Sequence, residues 1–250
     1  MDLLQPNLLC FVLVLTRVGA FFFTAPVFSW QSIPMTVKLT LTVFVSVFFA
    51  SIFVNPAMQK SYSALEAFLL IAAEAVYGLA LGLVAACLFG AVKIAARICE
   101  REMGLSMANI LDPMTDESGE PLGVLMEMVF ILLFLAANGH HVFLMALSRS
   151  YETFPIGSIP SIDKLTASVA TAGSTMLILG LRISAPILAA FLLLMVVLAF
   201  LARVAPETNI LFLSLPLKIG MGLVMVAIFL PFIGSFVTEF TEWLNKLIPL

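Results

Sequence analysis

The sequence predicts an all-α integral membrane protein of about six long apolar helical segments, some of them kinked or broken by proline. Three observations carry that expectation. Charged residues make up only 11% of the chain, against roughly 25% in a soluble domain whose surface must face water. Hydrophobic residues make up 62%, which leaves lipid or a large set of apolar partners as the surroundings. The apolar residues also fall in runs of membrane-crossing length, separated by short breaks rich in proline, glycine and polar residues. A net charge of −3 with no basic run argues against a nucleic-acid partner.

The first run, Leu8 to Trp30, holds one charge, Arg17, and ends in an aromatic and proline border at Pro26, Trp30 and Pro34. The residues before it lack the basic stretch of a signal peptide, so this segment is expected to be retained. The second run, Leu39 to Val54, is uncharged, stops at Asn55-Pro56 and is short for a span of about 20 residues. The third starts near Leu65 and continues to Val92, with Glu74 as its only acidic residue beyond Glu66 at its start. Its helical pattern extends further, because Lys93, Arg97 and Arg101 at i, i+4 and i+8 form one basic stripe, with Gly104 as the stop.

Residues Leu105 to Pro121 read as a loop, apolar in its first half and acidic (Asp116, Glu117, Glu120) in its second. The fourth run, Leu122 to Leu147, holds Glu127 and the pair His140-His141, and a polar connection from Ser148 to Thr166 follows. The fifth, Ala167 to Ala202, carries Arg182 as its only charge, and Pro186 inside it predicts a kink or break. A polar turn from Arg203 to Asn209 leads to an apolar stretch interrupted by Pro216 and Lys218. The last run, Ile219 to Thr238, is uncharged and contains Pro231, and Glu239, Glu242, Trp243 and Lys246 form an interfacial tail.

The intramembrane charges Arg17, Glu74, Glu127 and Arg182 are the first functional candidates. At mid-bilayer each costs at least about 2.5–3.5 kcal/mol on insertion scales, so each must face protein or water and find a partner. Buried pairs that lock helices together, an acidic residue with Arg17 or Arg182, explain them more simply than a proton relay, whose spacing is absent. Glu74, Gly78 and Gly82 share one helix face, where small residues let another backbone approach closely. His140 and His141 point about 100° apart on a helix and lack a third ligand nearby, which suits a polar helix end better than a metal. Cys10, Cys87 and Cys99 fit small apolar packing. The sequence contains no catalytic order, phosphate loop or cofactor motif. Met103, Met107 and Met114 stand out because apolar residues in a loop need burial or a pore to block.

Taken in order, these landmarks resemble a known family. The series runs Arg17-Val18-Gly19-Ala20-Phe21, Ala25-Pro26, Ile33-Pro34 with Lys38, Glu74-xxx-Gly78-xxx-Gly82, Asp112-Pro113 and Asn138-Gly139-His140. It continues through Phe154-Pro155, Ala185-Pro186, Ala202-Arg203-Val204-Ala205-Pro206, Asn209, Pro216, Lys218 and Gly220. It is similar to the FliR family of flagellar export-gate proteins, whose injectisome relatives are the T subunits of type III secretion. Glu207 departs from the pattern, which has glutamine after the proline.

The resemblance implies that residues 1–250 form one export-gate membrane domain, a structural and gating subunit rather than an enzyme. It implies helical hairpins stacked beside two smaller gate proteins of the P and Q type, an assembly raised in part toward the periplasm, and a B-type membrane component nearby. Unfolded flagellar subunits would pass through the pore across the bacterial inner membrane at the flagellar basal body. It further implies that the 104–123 loop helps to plug the closed pore, through Met103, Gly104, Leu105, Met107, Ile110, Leu111, Asp112, Pro113 and Met114. Arg17, Pro26, Lys38, Glu74, Gly78, Gly82, Arg182, Pro186, Arg203, Pro206, Glu207 and Lys218 would serve contacts between helices or subunits. The rival expectation is a proton-coupled secondary transporter with Glu74 or Glu127 as its ion site, although no internal repeat supports it. A lipid-directed membrane enzyme lacks any nucleophile–base or metal arrangement.

Overall fold

A computed structural model describes residues 6–30, 33–53, 62–105, 121–158, 162–207, 209–210 and 212–228. Every regular element among them is a helix: α1 Pro6–Thr24, α2 Pro26–Ser29, α3 Met35–Ile52, α4 Ala64–Met103, α5 Pro121–Ala136, α6 Gly139–Thr153, α7 Ile162–Val204 and α8 Phe212–Ile228. The protein is all-α and built for a membrane. α3, α4 and α7 are each long and apolar enough to cross one, and α5 with α6 would make a fourth span if counted together. α4 has 40 residues and α7 has 43, so each measures about 60 Å or more at 1.5 Å per residue, about twice a hydrocarbon core.

Three features differ from the sequence expectation. The first run is split at Ala25, where Pro26 starts the short helix α2. The fourth run is interrupted at Ala137–Asn138, because Asn138 adopts a left-handed conformation (φ 59°) that asparagine tolerates better than most residues. The polar connection begins later than Ser148, since α6 continues to Thr153 with Ser150 and Tyr151 buried. Pro186 leaves α7 unbroken, as membrane helices accommodate a missing hydrogen bond through neighbouring groups. Gly104 ends α4 as expected, with φ +79° and the Leu105 N–H on the Glu100 carbonyl at 3.2 Å.

The chain divides into two compact units, each with its own core. The first holds α1 to α3, α4 as far as Leu88, α6, and α7 as far as Gly173. Its core is an aromatic and aliphatic layer: Leu13, Val14, Val18 and Phe21 from α1, and Phe143 and Leu147 from α6. Phe21 meets Phe143 edge-on at 5.8 Å between centroids. α3 turns its small polar residues inward: Thr42 and Ser46 are buried, while Leu39, Val43, Phe44, Val47 and Phe48 are exposed. A soluble helix would do the reverse. The buried hydroxyls are satisfied by their own helix, Thr42 on the Lys38 carbonyl at 2.8 Å and Ser46 on the Thr42 carbonyl at 2.6 Å.

The second unit holds α4 from Phe89, α5, α7 from Ser174, and α8. Phe89 packs edge-on against Phe130 and Phe134 of α5, at 5.0 and 5.4 Å. Ala95, Ala96, Cys99 and Met103 continue the buried face of α4.

Candidate functional site

The first unit is organised around a buried arginine. Arg17 on α1 and Glu74 on α4 are both fully enclosed, and the Arg17 Nε donates to Glu74 Oε2 at 2.5 Å. The Arg17 Nη1 donates to the Ser150 carbonyl at 3.2 Å, the Ser150 hydroxyl at 3.4 Å and the Phe154 carbonyl at 3.1 Å. Those carbonyls belong to the end of α6, where the dipole is negative, and the Ser150 carbonyl also accepts the Phe154 N–H at 2.9 Å. The guanidinium also lies over two rings, 4.3 Å from the Tyr151 centroid and 4.8 Å from that of Tyr77. Glu74 uses its other oxygen to accept the Gly157 N–H at 3.0 Å. A single side chain therefore ties α1, α4 and α6 together, and its carboxylate extends the tie to the connection after α6.

The close approach of α1 and α4 depends on glycine. A Cβ on Gly78 would collide with the Arg17 carbonyl oxygen and stand 2.7 Å from the Ala20 Cβ, and one on Gly82 would stand 2.7 Å from the Thr24 Cβ. Glu74, Gly78 and Gly82 lie on the one face that meets α1, one turn apart.

The second unit contains a further ion pair, Lys93 to Glu127 at 2.8 Å, with the Lys93 side chain about half exposed. Glu100, 4% exposed, accepts the backbone N–H of Leu122 at 2.6 Å and of Gly123 at 3.0 Å. Among the described residues no group of three or more metal-ligand side chains converges.

The sequence has counterparts among known proteins. Residues 8–243 match the family described as "Bacterial export proteins, family 1". The chain belongs to that family. It is 33% identical to the flagellar biosynthetic protein FliR of Escherichia coli (strain K12), over 93% of this chain and 89% of that protein. It is 30% identical to the flagellar biosynthetic protein FliR of Bacillus subtilis (strain 168), over 87% of this chain and 85% of that protein. It is 31% identical to the Yop proteins translocation protein T of Yersinia pestis, over 91% of this chain and 88% of that protein.

Within this bacterial export protein, the structure brings some sequence-selected residues together and leaves others apart. Arg17, Glu74, Gly78 and Gly82 form one contact. Pro26 opens α2, and Lys38 donates to the Ser29 carbonyl at 3.0 Å, so the two brace the turn between α2 and α3. Arg182 is exposed on α7, Pro186 is half-buried, and Arg203, Pro206 and Glu207 are exposed around the end of α7. Lys218 is half-buried on α8.

Of the loop residues, Met103 is fully enclosed, in a place where a Cβ on Gly222 of α8 would stand 2.8 Å from its Cε. Gly104 and Leu105 form the turn that ends α4. Met107, Ile110, Leu111, Asp112, Pro113 and Met114 lie outside the described residues. His140 and His141 stand with ring centroids 4.2 Å apart in the first turn of α6.

Sequence reasoning missed Tyr77, Ser150, Tyr151, Gly157 and Glu100. Tyr77 was within reach of it, three residues after Glu74 on the same helix face. The others act through backbone groups or through long-range pairing, which leave no spacing to find.

Proposed function

We propose that this chain is a structural and gating subunit of a flagellar type III protein export pore, one domain spanning residues 1–250. It passes unfolded flagellar subunits across the bacterial inner membrane at the basal body and performs no catalysis itself. The relatives support this by name, two being flagellar biosynthetic proteins and one a translocation protein. The observation that carries it is the uncovered surface. Only 17% of the most apolar window of α7 is buried within the chain, and Arg182 stands on its exposed side. An apolar face of that length, left uncovered by its own chain, suits packing against the apolar helices of other subunits. The partners proposed are the P- and Q-type gate proteins, with the B-type component beside them.

The transporter reading loses its best residue. Glu74 is held by Arg17 and by the Gly157 N–H, so it is committed to structure and poorly placed to shuttle protons. Purification of the tagged chain from its own cells in mild detergent tests the assignment. A large complex containing two other very apolar proteins is expected; a stable monomer or small homo-oligomer would overturn it.

The segment after α4 is proposed to plug the closed pore, with Met107, Ile110, Leu111 and Met114 as its apolar part. Deleting residues 107–114 should raise leakage of small ions through the assembled gate. An unchanged leak would sink the plug assignment.

A further inference from the structure

We propose that the first unit binds a buried water molecule against Arg17, held by the second terminal nitrogen of the guanidinium and by the hydroxyls of Tyr77 and Ser158. The contacts described above use only Nε and Nη1. Nη2 is buried as well, and it has no hydrogen-bond partner among the described residues. The hydroxyls of Tyr77, Tyr151 and Ser158 are in the same position, each oxygen buried and without a partner there. Arg17, Tyr77 and Tyr151 are 0, 2 and 4% exposed, so bulk water does not reach them. Buried polar atoms are normally paired, and an ordered water is a common partner where the chain offers none.

These groups gather around one ion pair. The guanidinium lies over both tyrosine rings. Tyr77 stands about one turn after Glu74 on α4, and Ser158 follows Gly157, whose N–H is bonded to the Glu74 carboxylate. The Tyr77 and Ser158 hydroxyls face each other without meeting in hydrogen-bond geometry. Glu74 already accepts on both oxygens, and Nη1 takes the Ser150 and Phe154 carbonyls. The two N–H groups of Nη2 therefore need a further acceptor. A bare buried group carries its full desolvation penalty, and four together would rival the stability of a whole domain. Water suits the place because it accepts from Nη2 while exchanging hydrogen bonds with hydroxyls, and a buried water typically makes about three such bonds. An anion suits it less, since Glu74 already balances the charge of Arg17.

The sign of a hydroxyl deletion tests this. Tyr77→Phe, Ser158→Ala and the double variant are made in the full chain, and thermal unfolding is followed in one detergent. If a water is held there, each single variant should lower the melting temperature by about 2–4 °C, because the water loses a partner. The double variant should lose less than the sum, since one molecule is released once. If the hydroxyls are bare, deleting them removes a desolvation penalty, and the variants should melt at or above wild type; that result overturns the proposal. A direct bond between Tyr77 and Ser158 would also couple the two variants, so the wild-type chain is imaged as well. An electron cryo-microscopy map that resolves ordered waters elsewhere should show a density peak within hydrogen-bond reach of Arg17 Nη2 and at least one of the two hydroxyls. Coupled melting losses without that peak mean a direct bond and overturn the water.

Discussion

Replacing Arg17 with alanine should be the most damaging single change in the first unit. Glu74 would keep its Gly157 N–H but lose the guanidinium, and the end of α6 would lose the donor on its Ser150 and Phe154 carbonyls. Both partners are fully enclosed, so water cannot replace the lost charge. Removing one member of a buried pair costs about 3–5 kcal/mol, a large share of the stability of most domains. Lysine should rescue poorly, because an ammonium is a point charge and cannot address Glu74 and the two carbonyls with a planar fork.

The informative control is Arg17→Met together with Glu74→Leu. Removing both charges while keeping the volume avoids an uncompensated ion, so the double variant should be less destabilised than either single one. The measurement is thermal loss of the folded chain in detergent, followed by protease resistance. If Arg17→Ala melts like wild type, the pair is dispensable and the central claim about this unit is wrong. If the double variant is no better than the singles, the shape of the arginine matters more than its charge.

How far the sequence leads to this contact depends on which link is considered. The face made by Glu74, Gly78 and Gly82 follows from helical period alone, and so does the need for an arginine partner. The choice of Arg17 does not follow, because the spacing of Arg17 and Arg182 along the chain says nothing about which helix lies beside α4. The contribution of α6 was hidden for a different reason. Its last turn contains Ser148, Arg149, Ser150 and Glu152, which read as a polar connection, yet burial of Ser150 and Tyr151 keeps it helical to Thr153. The break at Asn138-Gly139 carried a turn signal that the length of the surrounding apolar run outweighed. Pro186 signals a kink or a break, and α7 stays helical through it from Ile162 to Val204. Glu100 was invisible because its partners are backbone N–H groups, which no residue pattern records.

The glycines allow the closest comparison between a contact that cannot yield and one that can. A Cβ on Gly78 would run into the carbonyl oxygen of Arg17 and stand 2.7 Å from the Ala20 Cβ. Both obstacles are fixed to the α1 backbone, so no rotamer relieves them and the two helices must separate. Separation also pulls on the Arg17–Glu74 bond one turn away, which links the packing cost to the charge pair. A Cβ on Gly90 would instead stand 2.7 Å from the Met176 sulfur, near the free end of a flexible side chain that can swing aside. Gly78→Ala should therefore destabilise by about 1–3 kcal/mol, as overpacking typically does. Gly90→Ala should be close to neutral, because the gain in helix propensity of up to about 1 kcal/mol offsets the displaced methionine. Gly82→Ala should fall between them. Its obstacle is the Thr24 side chain, a stiff β-branched group whose hydroxyl is bonded to the Ala20 carbonyl at 2.7 Å. Thermal unfolding of the three variants under one set of detergent conditions decides the order. If Gly90→Ala proves as harmful as Gly78→Ala, the side chains around Met176 are as rigid as backbone. Close approach of α1 and α4 would then no longer explain why this helix face is built from glycine.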